Sequence, residues 1–511
     1  MIQLIYRIES DYMSKKRMLI VTSVILSVVT ISLGIVKLYQ TYALSNYIGT
    51  VTDTGIDVYI NDDSYVSIPA NGSSNVYYML TNTNPGTVKY GVAYQTTSGV
   101  TVKVYDTSED PATGTIEEND KKYIKLHLEN KNSTNKTIEL STVLGYENGG
   151  DLVVPSGVTL VTDTYTPPPT AAEYITKLYT TASKTTATNN GITYNYANIY
   201  DTDSDDNTNG GLMNDRLGGT TTSLDGGNIR YYGASPNNYI YFNCSDYSNQ
   251  TSSTCETWRI IGVFDGKLKL IRGSQIGKYS WDNKNTSTGA EDGWGKNDWT
   301  TARLMKLLNP SNYYTVDSND NNLGQSLYYN SASGKCYSGK NNATVDCDFT
   351  STGIKNDETR NMIAETTYNL GGWNSNSVYP NQIYGYERGT TVYTGRPTTP
   401  WTGKIALAYP SDYGYAADLN QCKNKTLSGY NNITCTSNNW MKAILGTSSY
   451  GWLLTPSSSG SYYAWYVGSG GGVVNNGVYN ANGAAPVLSL SSELGIESGD
   501  GSSSKPYKLS A

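Results

Sequence analysis

The chain has 511 residues and is poor in charge, with 16% Asp, Glu, Lys and Arg against a usual quarter, and a net charge of -7. So few cations on an acidic chain disfavour a grip on phosphate backbones, and nucleic acid is set aside as a partner. A single histidine, His127, leaves no set for Ser–His–Asp catalysis or multi-His metal sites, and 46 Tyr, 51 Gly and only 3 Phe point to strands and polar loops.

Residues 18–36, MLIVTSVILSVVTISLGIV, are an uncharged apolar run long enough to span a bilayer as a helix. Lys15, Lys16 and Arg17 precede it directly, so the positive-inside rule places 1–17 as a cytoplasmic stub and the bulk of the chain outside the cell. Membrane anchorage through this helix is the expectation. The rival reading is a cleaved signal peptide, for which Ala43-Leu44-Ser45 supplies a small-x-small site.

Residues 46–165 read as an all-β, Ig-like sandwich. Val76, Tyr78 and Leu80 alternate before one turn-rich stretch; Ile124, Leu126 and Leu128 alternate before another; Ile138 and Leu140 continue the pattern. His127 falls out of phase with its apolar neighbours and reads as a solvent-facing strand residue. Thr166-Pro167-Pro168-Pro169-Thr170 is a stiff polyproline joint and marks a domain boundary at 166–170.

The head, 171–511, reads as α+β and holds all nine Trp and all three Phe. A helix is expected over 171–182, with Tyr174, Ile175, Leu178 and Tyr179 on one face. Further helices are expected over 299–308 with Asp298 as N-cap, over 358–370 with Asp357 as N-cap, and over 440–445. Strands are expected over 239–242, 257–263, 268–272, 404–408 and 462–467. No G-x-G-x-x-G or Walker pattern occurs, which disfavours a nucleotide-binding fold.

Asp201, Asp203 and Asp205 place oxygen ligands at positions 1, 3 and 5 of a calcium-like loop. Position 6 is Asp206 rather than Gly and position 12 is Leu212 rather than Glu, so a solvated acidic loop is the stronger reading and calcium the weaker. The six cysteines fall into Cys244/Cys255, Cys336/Cys347 and Cys422/Cys435. Each pair brackets a polar, turn-rich excursion, so three local disulfides are expected, each contributing about 3 kcal/mol by loop closure. With no C-x2-C and no nearby His, zinc is the weak alternative.

Tyr462, Ala464 and Tyr466 share one face of the 462–467 strand, and Tyr463, Trp465 and Val467 the other. Asn475-Asn476-Gly477 reads as a hairpin turn. One aromatic face is expected in the core. The other, with Tyr462, Tyr466, Asn475, Asn476 and Tyr479, is the candidate ligand surface, because Tyr and Asn bind polar ligands at little ordering cost. Glu291, Asp292, Glu387 and Asp412 are the carboxylates available for glycoside hydrolysis, though spacing alone pairs none of them.

IRYYGASPNNYIYFN (229–243), TWRIIGVF (257–264), NDWTTARLMKLLNP (297–310), ALAYPSDYGYA (406–416), GWLLTP (451–456), AWYVGSGGGV (464–473) and SGDGSSSKPYKL (498–509) together resemble a family of uncharacterised surface proteins of Gram-positive gut bacteria. The resemblance covers about 229–509. It implies a C-type-lectin-like fold, related to the formylglycine-generating-enzyme-like and phage tropism-determinant folds, and a cell-surface location; it implies no reaction. One departure stands out: family members usually carry Gly-Val-Arg-Pro before the last strand, where this chain has Gly483-Ala484-Ala485-Pro486. The expected function is therefore recognition of an extracellular glycan or protein by the head. A structural envelope component and a glycan-active enzyme are the alternatives.

Overall fold

The computed structural model describes residues 47–51, 56–60, 65–82, 86–146, 152–199, 210–217, 227–282, 294–316, 327–332, 334–337, 344–393, 396–398 and 400–510. The expected membrane helix (18–36) and the acidic loop with Asp201, Asp203 and Asp205 lie outside these residues. Among the described residues no helix is long and apolar enough to cross a membrane. Among the described residues strand accounts for 41% and helix for 15%, so the architecture is mostly β. The chain divides into two compact units, 1–168 and 169–511, at the proline joint.

The first unit contains β1 (Tyr47–Val51), β2 (Ile56–Ile60), β3 (Tyr65–Ile68), β4 (Gly72–Asn82), β5 (Val88–Gln95), β6 (Val100–Tyr105), β7 (Thr113–Ile116), β8 (Lys121–Asn130), β9 (Lys136–Tyr146), β10 (Val158–Leu160) and β11 (Thr164–Tyr165). Two sheets form, in the orders β1-β2-β4-β8-β6-β11 and β10-β5-β9-β3, with β7 on β5. Their alternating apolar residues meet in one core: Val76, Tyr78, Leu80, Ile124, Leu126 and Leu128 from the first sheet, Val88, Val92, Ile138 and Leu140 from the second. Period-2 alternation forces this outcome, since every second side chain must leave water together. Tyr78 and Thr142 join the sheets through a 2.7 Å hydroxyl–hydroxyl hydrogen bond. Buried Asn130 ties the strand ends, its Nδ2 donating to the carbonyls of Pro69 and Thr134.

His127 departs from the expectation of a bare solvent-facing residue. It lies on the outer face, but Tyr165 of β11 stacks flat on its ring at 3.7 Å, and Tyr105 meets it edge-on. The exit strand, running parallel to β6, covers that face.

The second unit opens with α1 (Ala171–Thr181). Its capping box is complete: Thr170 Oγ1 accepts from the Glu173 N–H and the Glu173 carboxylate accepts from the Thr170 N–H. Ile175 and Tyr179 are buried as the helical spacing requires. Nine strands then follow: β12 (Ser183–Asn189), β13 (Ile192–Asn198), β14 (Gly210–Asn214), β15 (Ile229–Gly233), β16 (Tyr239–Phe242), β17 (Glu256–Phe264), β18 (Lys267–Arg272), β19 (Gly277–Ser280) and β20 (Gly334–Tyr337). Six short ones come next: β21 (Thr344–Cys347), β22 (Thr366–Tyr368), β23 (Thr391–Tyr393), β24 (Arg396–Pro397), β25 (Trp401–Gly403) and β26 (Ile405–Ala406). The last are β27 (Gly451–Pro456), β28 (Tyr463–Val467), β29 (Val473–Gly477), β30 (Ala481–Ala484), β31 (Val487–Ser489), β32 (Gly495–Ser498) and β33 (Lys508–Ser510).

A nine-stranded sheet runs β12-β13-β14-β15-β17-β18-β31-β26, with β16 also on β17. A five-stranded sheet runs β19-β30-β27-β28-β29. The remaining helices are short: α2 (Arg303–Leu308), α3 (Asp357–Met362), α4 (Pro380–Glu387), α5 (Pro410–Tyr415), α6 (Ile433–Ser437) and α7 (Lys442–Leu445).

Three expectations are corrected here. The helix expected over 299–308 begins only at Arg303; Asp298 caps the preceding turn instead, accepting from Thr300. The helix expected over 358–370 stops at Met362 and is capped by Asn356 rather than Asp357, because Thr366-Thr367-Tyr368 pairs with β25 as a strand. β-branched and aromatic residues favour that choice. The expected turn at Asn475-Asn476-Gly477 is strand β29. The reversal lies at 468–472, where the Gly468 N–H donates to Gly472 O and Gly471 takes φ +91°, a conformation open to glycine.

Cys244–Cys255 and Cys422–Cys435 are disulfides, as the local-loop reading requires. β20 and β21, which carry Cys336 and Cys347, pair antiparallel; the side chains of that pair are not among those described.

Candidate functional site

Strand β28 does not have one core face and one free face. Trp465 and Val467 sink into one apolar cluster, while Ala464 on the opposite side belongs to another, against which Tyr462 and Tyr466 pack half-buried. A sheet covered on both sides leaves exposure to its ends, and there the aromatic rings gather.

Tyr479, just beyond β29, brings its ring to 5.1 Å from Trp294; Tyr462 lies 6.2 Å from the same indole and 4.4 Å from Tyr463. All four rings are half-buried. Tyr466 stands apart, against Tyr450 and Trp452. Polar groups flank the four-ring cluster. Asn475 Nδ2 donates to the hydroxyls of Ser457 and Ser459, and Asn476 Oδ1 accepts from Asn480 Nδ2 at 2.8 Å. The structure thus brings Tyr462, Tyr479, Asn475 and Asn476 of the expected set into one region and separates Tyr466 from them.

Asn297 holds this region in place. Fully buried, its Nδ2 donates to the carbonyls of Ser457, Gly460 and Tyr463 at 3.0, 2.9 and 2.8 Å, and its backbone N–H donates to Ser461 O. A buried amide with three partners fixes a loop that has no regular structure of its own. Arg396 closes the arrangement by donating to Asn297 Oδ1 and to its carbonyl.

Beside Asn297 opens a cleft of about 330 Å³, lined among others by Asp298, Trp299, Thr300, Val392, Arg396 and Thr398. Arg396 and Lys296 both approach Asp298, at 3.9 and 3.4 Å. The indole N–H of Trp299, itself buried, has no partner among the described residues. The cleft therefore offers a cationic fork, a carboxylate, two hydroxyls and an apolar wall at the lower end of small-ligand pocket size.

Sequence reasoning missed Trp294, Asn297, Asp298 and Arg396 as parts of one site. Trp294 was findable as an aromatic in a Gly-rich polar stretch; the convergence of Asn297 and Arg396, 99 residues apart, was not.

The carboxylates considered for glycoside hydrolysis fare differently. Glu291 and Asp292 lie outside the described residues. Glu387 and Asp412 are 0% and 2% exposed, closed to any substrate. Asp412 accepts from Arg230 Nη1 at 2.9 Å, from Lys269 Nζ and from the Tyr409 N–H, and Arg230 also donates to Asp215. Burial pushes the Asp412 carboxyl upward, but Lys269 and Arg230 outweigh it and hold it below the usual range. Glu387 accepts from the Ser411 N–H and hydroxyl; burial dominates there and pushes it up to about 7, against the pull of Arg388. These groups are structural ties in the core.

Among the described residues no cluster of His, Cys, Asp and Glu forms a metal site. Comparison with protein-family models, with curated proteins and with solved structures finds no match to this chain.

Proposed function

We propose that this chain is a membrane-anchored cell-surface recognition protein whose second unit is a C-type-lectin-like head that binds an extracellular glycan or protein. The observation that carries this reading is the cluster of Trp294, Tyr462, Tyr463 and Tyr479, half-exposed together and bordered by Asn475, Asn476, Asn480 and Ser459. Rigid aromatic faces beside amide and hydroxyl groups suit a ligand that is itself part apolar face and part hydroxyl rim. Anchorage rests on the apolar run 18–36 with its preceding basic cluster. The Ig-like first unit serves as a stalk.

The test uses the full chain in detergent, applied to an array of mucin glycans. Saturable retention is expected. Tyr479→Ala and Tyr462→Ala each weaken it by about 1 kcal/mol or more while the melting temperature of the second unit holds. Self-association without retention refers the protein to envelope structure instead, and alteration of the arrayed glycans refers it to an enzyme. Loss of melting temperature in both variants, with affinity unchanged in the folded protein, removes the aromatic cluster as the site.

A further inference from the structure

A second cavity adjoins the cleft at Arg396 and takes no part in the cluster just described. It measures about 440 Å³, and its walls include Trp373, Tyr386, Tyr393, Thr391 and Ser458, floored by Gly372 and Gly389. No charged side chain is among its lining residues. The Trp373 and Tyr386 rings lie flat on one another, centroids 3.7 Å apart and planes within 5°, so the pair is a rigid aromatic wall. The Trp373 indole nitrogen is buried rather than open to the cavity, so the pair presents ring surface rather than a donor. Three aromatic rings, four hydroxyls (Tyr386, Tyr393, Thr391 and Ser458) and no charge form a lining suited to a neutral, hydroxylated ring. An ion would find no counter-charge there, and a wholly apolar ligand would strand the polar groups.

The two-stranded ribbon β23–β24 is the partition between this cavity and the cleft. Thr391 and Tyr393 of β23 line the cavity, while Arg396 and Pro397 of β24 line the cleft. Thr391 pairs with Pro397 and Tyr393 with Arg396, and Val392 lines both sides. The two strands that part the hollows are roughly 5 Å apart, so a chain of several linked sugar rings, rather than a single ring, is needed to reach from one hollow to the other. On the cleft side, Arg396 is anchored by its two Nη donors to Asn297, and the Asp298 carboxylate stands beside it with the hydroxyls of Thr300 and Thr398, a mix of acceptor and donor groups that matches adjacent sugar hydroxyls.

We propose that the β23–β24 ribbon carries a two-subsite groove for a neutral oligosaccharide. One ring sits against Trp373 and Tyr386, and the next units reach over the ribbon to Arg396 and Asp298. Linked rings then bind more tightly than single ones, because the second contact is made at high effective concentration.

The test is calorimetry on the full chain in detergent with four neutral tetrasaccharides, cellotetraose, mannotetraose, maltotetraose and tetra-N-acetylchitotetraose, each beside its monosaccharide. At least one tetrasaccharide binds saturably, and about tenfold or more tighter than its monomer. Trp373→Ala weakens it about tenfold, Trp373→Phe keeps it within about threefold, and Asp298→Asn weakens the tetrasaccharide alone. If Trp373→Ala does not fold, Tyr393→Ala, at a half-buried position at the end of β23, decides in its place. Binding by none of the four, equal affinity for tetramer and monomer, or indifference to the folded Trp373→Ala or Tyr393→Ala variant overturns the groove. Binding that is lost in Tyr479→Ala but untouched by both ribbon-side variants overturns the groove and leaves the recognition reading standing.

Discussion

Replacing Arg230 by Met tests whether the buried ionic ties hold the second unit together. Arg230 is 1% exposed and donates to two carboxylates that are themselves closed to solvent, Asp215 and Asp412. Its guanidinium also lies over the rings of Phe264 and Tyr415, at 4.6 and 4.9 Å. Met fills most of the volume, so the loss is electrostatic rather than a cavity. Removing one member of a buried ion pair costs about 3–5 kcal/mol, because the partner charge is stranded. Both partners keep some support here. Asp412 retains Lys269 and the Tyr409 N–H; Asp215 retains the N–H groups of Leu217 and Asn228 and the Asn228 amide. The expected cost is therefore at the lower end, about 3 kcal/mol, with the melanges of hydrogen bonds around Asp215 preserving the fold. Urea unfolding followed by tryptophan fluorescence reads the second unit alone, since all nine Trp lie beyond residue 240. Adding Asp215→Asn should return about 1 kcal/mol or more by removing the stranded charge. A loss under 1 kcal/mol for Arg230→Met, or no recovery in the double variant, would show that these buried ion pairs do not hold the second unit together.

Glu387 supplies a pH signature of unusual sign. Its carboxyl is pushed up to about 7, from an ordinary value of 4.5, so the native state holds the proton more tightly than the unfolded chain and stability falls as pH rises from about 4.5 to 7. Glu387→Gln should flatten that slope and stabilise the second unit above pH 7 by about 2–3 kcal/mol; urea midpoints across pH 4–8 that match the parent sink the idea. His127 works the other way in the first unit: burial against Tyr165 lowers its pKa, with Glu129 opposing and Lys103 assisting. The first unit's melting temperature should drop as pH falls through about 6.5, and a His127→Gln variant with the same drop would show that another group is responsible.

What was legible in the sequence follows from periodicity. The sandwich core was readable because alternation in β4, β8 and β9 needs only local chemistry, and α1 because its cap, its Glu173 and its apolar stripe agree. The local disulfides were readable because each loop closes on itself. The misread segments are those in which distant partners decide. Thr366–Tyr368 became a strand because β25, some thirty-five residues on, was there to pair with it. Asn475 and Asn476 carry turn chemistry, yet four glycines just upstream offer a looser reversal, and Asn475 finds its partners in Ser457 and Ser459.

The same logic explains why the candidate site was only half visible. Its aromatic half lies close together in sequence, at 462–479, and Tyr and Asn announce themselves by type. Its other half is assembled by one buried amide: Asn297 collects carbonyls from 457, 460 and 463 and is itself gripped by Arg396. In a unit whose helices are mostly shorter than two turns, such side-chain-to-backbone ties replace regular structure as the means of fixing loops. An Asn in a polar loop carries no mark in the sequence that separates a solvated residue from a pivot of this kind. The pivot's value lies in the carbonyls that converge on it, and that convergence is a property of the fold. It also ties down the loops that would carry the proposed binding surface, which is the condition under which Tyr, Asn and Ser bind polar ligands without a large ordering cost.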